Sequence, residues 1–239
     1  MKIAASRALQ DDLVAASRIL AQHEVLDAYG HVSARSDQKP AHFVMSRALA
    51  PALVTARDLM ELSADSEPLP GDKRKAFIER YIHGEIYRRR PEVKAIVHSH
   101  SASVIPFGVT RSRLRPVYHM ASFLWSGAPV FEIRDTRKEN DLLVRDRPLG
   151  EALAGSLGRC NCVLMRGHGM TVVGDGVPEA VFRSIYTEMN ARLQIQAARL
   201  EGPIEFLSDE EGRRSSASNR GTLERPWELW KKEALKGRR

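Results

Sequence analysis

The sequence predicts one mixed α/β or α+β domain with a predominantly antiparallel sheet over residues 1–205, followed by a C-terminal arm over 206–239. Three observations carry this. Apolar stripes at helical spacing alternate with short apolar runs bounded by glycine and proline, as a layered domain requires. A glycine-rich reversal, Arg166-Gly167-His168-Gly169, joins two apolar runs as a hairpin would. Beyond Gly202-Pro203 the composition shifts to charged and small residues.

In chain order, Leu9, Leu13, Ala16 and Leu20 mark an amphipathic helix over 6–22. Gly30 turns the chain into a strand through His31-Val32-Ser33-Ala34-Arg35, and His42 to Ser46 is a second strand. Asp58 to Leu62 reads as a strand or short helix, and Ser66 to Gly71, with two prolines, as a loop. Ile78, Ile82 and Ile86 predict a helix from about Arg74 to Arg89, stopped by Pro91 and carrying Glu79 on its first turns. A strand over Ala95 to His100 follows, then a short helix over Ala102 to Phe107. Pro116 to Met120 and Pro129 to Arg134 read as strands, Leu149 to Leu157 as a helix, and Asn161 to Met165 as a buried strand. Val177 to Leu200 is a long helix on the stripe Val181, Ile185, Met189, Leu193 and Ala197. Ser208 to Asn219 is expected to be a linker or poorly ordered arm, and the tail's Trp227 and Trp230 to clasp a neighbouring subunit or lid a pocket.

The chain has 239 residues and a formal charge of +7, but its basic clusters accompany no nucleic-acid-binding motif and few aromatics, which argues against DNA or RNA as a partner. No apolar run is long enough for a membrane span, and Met1 to Arg7 resembles no signal peptide. Cys160 and Cys162 are too close to form a disulfide scaffold, so a cytoplasmic setting is the expectation.

The chemistry gathers at the strand Ala95 to His100. Its period of two puts His98 and His100 on one face. A His-x-His pair arises by chance about 0.3 times in a chain with this histidine content. What raises its weight is a third imidazole, His168, between two glycines whose backbone can approach another element closely. Three imidazoles with an open position make a catalytic metal site.

Several motifs recur together: Gly30-x-x-Ser33-x-Arg35; Glu79 with His83 and Ile86-Tyr87-Arg88; Arg90-Pro91 before His98-x-His100; and Gly167-His168-Gly169 with Gly174. In order and spacing, over about residues 6–205, this array resembles the class II aldolase/adducin family. The resemblance implies a three-layer α/β/α domain with a central, mainly antiparallel sheet, assembled as a homotetramer. It also implies a divalent metal held by His98, His100 and His168, with Glu79 as acid/base and possible fourth ligand. Zinc suits such ligands first; manganese, iron or cobalt can occupy the same set.

The departures point to the substrate. Sugar-phosphate aldolases of the family have Gly-Asn-x-Ser at the first turn and Ser-Ser before the acidic residue, whereas this chain has His31 for that Asn and Phe77-Ile78 for the serines. Ser46-Arg47-Ala48-Leu49 replaces their phosphate-binding loop. Apolar side chains cannot solvate a buried dianion, so a phosphorylated substrate is disfavoured. His31, Ser33, Arg35, Ser46, Arg47, Phe77 and Tyr118 are the expected substrate contacts, suited to a flat carboxylated molecule. His119 falls where the aldolases carry a catalytic tyrosine supplied by an adjacent subunit, which makes it the candidate proton donor beside Glu79. The variant resembles the branch that decarboxylates carboxylated dihydroxybenzoates or hydroxy-muconic semialdehydes in aromatic catabolism. A class II aldolase acting on an unphosphorylated hydroxy-keto acid is the alternative, and a non-catalytic adducin-like scaffold a third reading.

Overall fold

A seven-stranded sheet with strand order β3-β2-β1-β4-β7-β6-β5 organises the chain. The computed structural model describes residues 3–236. The strands are β1 (His31–Arg35), β2 (Phe43–Ser46), β3 (Leu59–Leu62), β4 (Ala95–Ser99), β5 (Val130–Phe131), β6 (Cys162–Met165) and β7 (Gly169–Gly174). Every pairing is antiparallel except β5 with β6, so the sheet is mixed but mainly antiparallel. Strand alternation divides β4 between two cores. Ala95 and Val97 pack with α1 (Arg7–Gln22) and α5 (Val177–Ala197), while Ile96 packs with α2 (Arg80–Arg89) and α4 (Arg147–Leu157). Helices on both faces give the expected three layers. No helix among the described residues is long and apolar enough to cross a membrane.

Helix α1 starts where Ser6 caps it, its side chain accepting from Leu9 N. The short helix α3 (Ile105–Val109) follows β4 and runs through Gly108 instead of ending before it. Three expected elements change. The helix predicted from about Arg74 begins only at Arg80: residues 75–77 have no regular structure, Lys75 O accepts from Ala48 N, Ile78 turns, and Glu79 occupies the N-cap position. Pro116 to Met120 forms no strand. Asn190 and Gln194 of α5 accept from Val117 N and Arg115 N, so side chains take the place of a strand partner, and a 3-10 helix follows over His119–Ser126. The strand predicted over Pro129 to Arg134 shrinks to β5, after which Ile133–Asp135 is a 3-10 turn.

The arm is ordered into helices α6 (Asp209–Arg220) and α7 (Glu224–Leu235), which corrects the linker expectation. Ser208 and Glu211 form a reciprocal capping box, and Glu210 pairs with Arg213 and Arg214, so local bonds hold a segment with little apolar content. Helix α6 is anchored by Asn219 and Ser215, both donating to His119 O. Helix α7 buries Trp227 and Trp230 on its own domain, with the Trp230 ring against His23 and Tyr186, and Lys231 pairs with Asp12 of α1.

Candidate metal centre

Three histidines and one glutamate meet at one end of the central strands. Antiparallel register sets His31 opposite His98 and His98 opposite Thr171. His168 is delivered by the β6–β7 turn, where Gly167 adopts φ of 65° and Gly169 presses against the end of β4. A Cβ at Gly169 would lie 2.0 Å from Ser99 O, so only glycine allows the turn to bring His168 beside His100. Glu79 enters from the N-terminus of α2, its Oε1 accepting from Val144 N at 2.9 Å.

Each imidazole is fixed through Nδ1. His98 Nδ1 donates to Met170 O at 3.1 Å, His100 Nδ1 to Asp27 Oδ2 at 3.0 Å, and His168 Nδ1 to Leu142 O at 2.8 Å. With the proton on Nδ1, each Nε2 carries a lone pair, and these lone pairs converge. His100 Nε2 and His168 Nε2 lie 3.1 Å apart, and Glu79 Oε2 is 3.4 Å from Nε2 of both His98 and His168. One ligand atom from each of the four residues lies within 4.8 Å of the others. His98 Nε2 is buried and makes no hydrogen bond among the described residues. A buried nitrogen without a partner, beside two more acceptors and a carboxylate, is costly unless a cation takes the lone pairs. The residues therefore fit a divalent metal.

The electrostatics agree. Burial opposes ionisation of Glu79, but the imidazoles of His98 and His168 outweigh it and hold the carboxyl far below its usual range. Burial lowers His98, whereas for His168 the same penalty is overcome by Glu79, which raises it. At Asp27 burial is overcome by the Tyr29 N–H and by His100, which keep the carboxylate charged.

A cavity of about 480 Å3 opens beside these groups. Its walls are chiefly apolar, from Ala48, Leu49, Ala50, Phe77, Ile78 and Leu143, with Tyr29, His31, Glu79 and His100 as polar members and Lys75 as a cation. Of the expected substrate contacts, His31 and Phe77 line it, their rings 4.4 Å apart. Ser33 lies buried behind them, bonded to His83 and Tyr87. Arg35 is not brought to the cavity: its guanidinium is spent on the carbonyls of Val93, Tyr87, Arg90 and Pro40. Arg47 pairs with Asp58, and Ser46 is buried at the end of β2; neither lines the wall. Tyr118 and His119 also lie outside this cavity, His119 exposed and Tyr118 with a buried hydroxyl that has no hydrogen-bond partner among the described residues.

Two features escaped the sequence reading. Lys75 gave no signal, because it belonged to a stretch read as helix. The pairing of His83 with His31 was signalled by Glu79, His83 and Tyr87 at i, i+4 and i+8, which places all three on one helical face.

The profile of the Class II Aldolase and Adducin N-terminal domain matches residues 11–195. The chain is 40% identical to Decarboxylase tropJ of Talaromyces stipitatus over 94% of its own length and 93% of the relative's. It is 32% identical to the 3,4-dihydroxyphthalate decarboxylase of a Terrabacter species, covering 83% and 84% of the two chains. Among solved structures, an aldolase II superfamily protein from Pseudomonas syringae superposes with a TM-score of 0.80 at 22% identity, covering 96% and 92%.

Proposed function

This chain belongs to the class II aldolase and adducin family, and from that premise we propose that it is a metal-dependent decarboxylase acting on a carboxylated dihydroxybenzoate or an unsaturated hydroxy or oxo acid of aromatic catabolism. Its likeness to two decarboxylases supports a carbon–carbon lyase of the family's decarboxylase-like branch. The observation that carries the metal-dependent reading is the convergence of three Nε2 lone pairs beside an ionised Glu79. The substrate class is supported by a wall that offers Phe77 and Ile78 where a phosphate would need donors, and by the activity after which the Terrabacter relative is named.

His98, His100 and His168 would hold the metal, with Glu79 as a fourth ligand in the resting state. Zinc is the first choice, and manganese, iron or cobalt are the alternatives. When bound, the metal supplies a Lewis acid that draws off negative charge from a phenol or enol oxygen as the carbon–carbon bond breaks. The chain's own groups do the rest. Lys75 at the cavity edge draws in the carboxylate. The apolar wall favours loss of neutral carbon dioxide over retention of a charged carboxylate. Glu79, charged at rest, takes the proton of the substrate's phenol or enol hydroxyl and passes it to the electron pair left on carbon, or His119 presented by a neighbouring subunit in a homotetramer supplies that proton. That assembly, the division into a catalytic domain over 1–205 and an arm over 206–239, and a cytoplasmic location in keeping with two free cysteines belong to the same proposal.

The test is to load the protein with zinc or manganese and supply 3,4-dihydroxyphthalate. One carbon dioxide per dihydroxybenzoate formed, abolished by chelation, is the expected outcome. Cleavage of an unphosphorylated hydroxy-keto acid to an aldehyde, with no carbon dioxide from either substrate, would replace this reading with the aldolase one.

A further inference from the structure

Behind the cavity runs a buried chain of four side chains that the reaction above does not use. His31 Nδ1 and His83 Nε2 are 2.7 Å apart, His83 Nδ1 and Ser33 Oγ 2.6 Å, and Ser33 Oγ and the Tyr87 hydroxyl 2.8 Å. All four residues are buried. Two proton orders can fill these three bonds. If His31 donates to His83, His83 to Ser33 and Ser33 to Tyr87, the Tyr87 O–H is left over, and Ser33 is the one hydrogen-bond partner that hydroxyl has among the described residues. A buried donor would then go unsatisfied. In the opposite order Tyr87 donates to Ser33 Oγ, Ser33 donates to His83 Nδ1 and His83 Nε2–H donates to His31 Nδ1. Every proton then has an acceptor within the chain except the one on His31 Nε2, and His31 lines the cavity, where that donor is open to water or substrate.

We infer that Tyr87, Ser33 and His83 act as positioning residues that lock His31 into the Nε2–H tautomer, so that His31 offers the cavity a hydrogen-bond donor for an anionic oxygen of the substrate. His31 lines the cavity, and no side chain or carbonyl among the described residues accepts from its Nε2. Burial raises the Tyr87 phenol and pushes His83 down to about 3, so both remain neutral, as an ordered relay of single protons needs. The result is the mirror image of the metal ligands: there Nδ1 is the donor and Nε2 keeps its lone pair, whereas His31 keeps its proton on Nε2. Two neighbouring imidazoles on paired strands, His31 and His98, thus carry opposite polarity on Nε2. The donor's role toward a carboxylated substrate rests on the function proposed above; the tautomer does not.

Neutron diffraction from deuterated crystals reads the tautomer directly, without substrate. The expected result is deuterium on His31 Nε2 and none on its Nδ1. Ser33→Ala removes the donor to His83 Nδ1 and with it the bond that holds the His83 proton on Nε2, so deuterium is expected to appear on His31 Nδ1. In the metal-loaded variant, calorimetric affinity for 3,4-dihydroxybenzoate, used as the probe, should fall about tenfold at unchanged metal content. If Ser33→Ala does not fold, His83→Phe removes the donor to His31 Nδ1 itself and replaces it, with the same expectation. Deuterium on Nδ1 in the wild-type protein overturns the inference, as does an unchanged Nε2 deuteron in the variant. Failure to release carbon dioxide would sink the proposed function while leaving the deuteron positions as they were measured.

Discussion

Two sets of histidines share one core and are wired in opposite ways. His98, His100 and His168 each tie Nδ1 to an oxygen, of Met170, Asp27 and Leu142 respectively, and turn Nε2 toward one another. His31 and His83 are instead linked nitrogen to nitrogen, in a chain that ends on Tyr87. Residue type is the same in the two sets, and His98 is as buried as His31 and His83; the difference lies in what holds the far side of each ring. An oxygen acceptor behind the ring makes a metal ligand, and a donor behind it makes a hydrogen-bond donor in front.

The first way to break this comparison is to remove a ligand. His98→Ala should abolish stoichiometric metal binding, with affinity down by more than about a hundredfold and turnover at background, as judged by metal analysis and carbon dioxide release. Retained metal and turnover would show that the trio is structural. Glu79→Gln keeps the shape but cannot accept a proton, so kcat should fall by about 10²–10⁴ while three imidazole ligands still hold the metal. Loss of the metal along with activity would instead make Glu79 an indispensable ligand.

The oxygen behind His100 can be weakened without touching any ligand. Asp27→Asn leaves an Oδ1 acceptor for the Tyr29 and Gly30 amides but removes the charge facing His100. Metal affinity should drop about tenfold, measured by competition with a chelator, and an unchanged affinity would assign Asp27 to the turn alone.

The smallest effect concerns stability in the second set. His83 is buried neutral, with its pKa lowered from 6.5 to about 3. Between these values the unfolded chain binds the proton and the folded chain does not, so this group's contribution is complete above 6.5 and is lost as pH falls toward 3. From pH 7.5 to 5.5 the metal-free protein should lose about 1 kcal/mol through His83, seen as a urea midpoint lower by roughly 0.5 M. The shift should shrink in His83→Asn; an equal shift in both proteins would show that other groups carry the pH dependence.

The sequence exposed one of these sets far better than the other. His-x-His at a strand end and a glycine-flanked histidine in a hairpin are local patterns, and sheet register turns them into neighbours without further information. The mainly antiparallel sheet was legible for the same reason, since period and glycine position encode it, whereas the three layers followed from the family resemblance. The cavity wall was not. Ile78, Ile82 and Ile86 have helical spacing, but Lys75 to Ile78 stay outside the helix, where the Ala48 amide binds Lys75 O and Glu79 reaches the Val144 amide, which are tertiary contacts. Arg35 and Arg47 were read as carboxylate anchors by residue type, yet nearby carbonyls and Asp58 occupy them. The arm misled by composition. Its charged residues form a capping box and local ion pairs, so the Ser208-x-x-Glu211 spacing was the better guide.

The most direct measurement is anomalous diffraction at the zinc absorption edge from crystals of the zinc-loaded protein. The account requires one peak per chain, within bonding distance of Nε2 of His98, His100 and His168. No peak at that position, or one ligated through Nδ1 of any of the three, would contradict it.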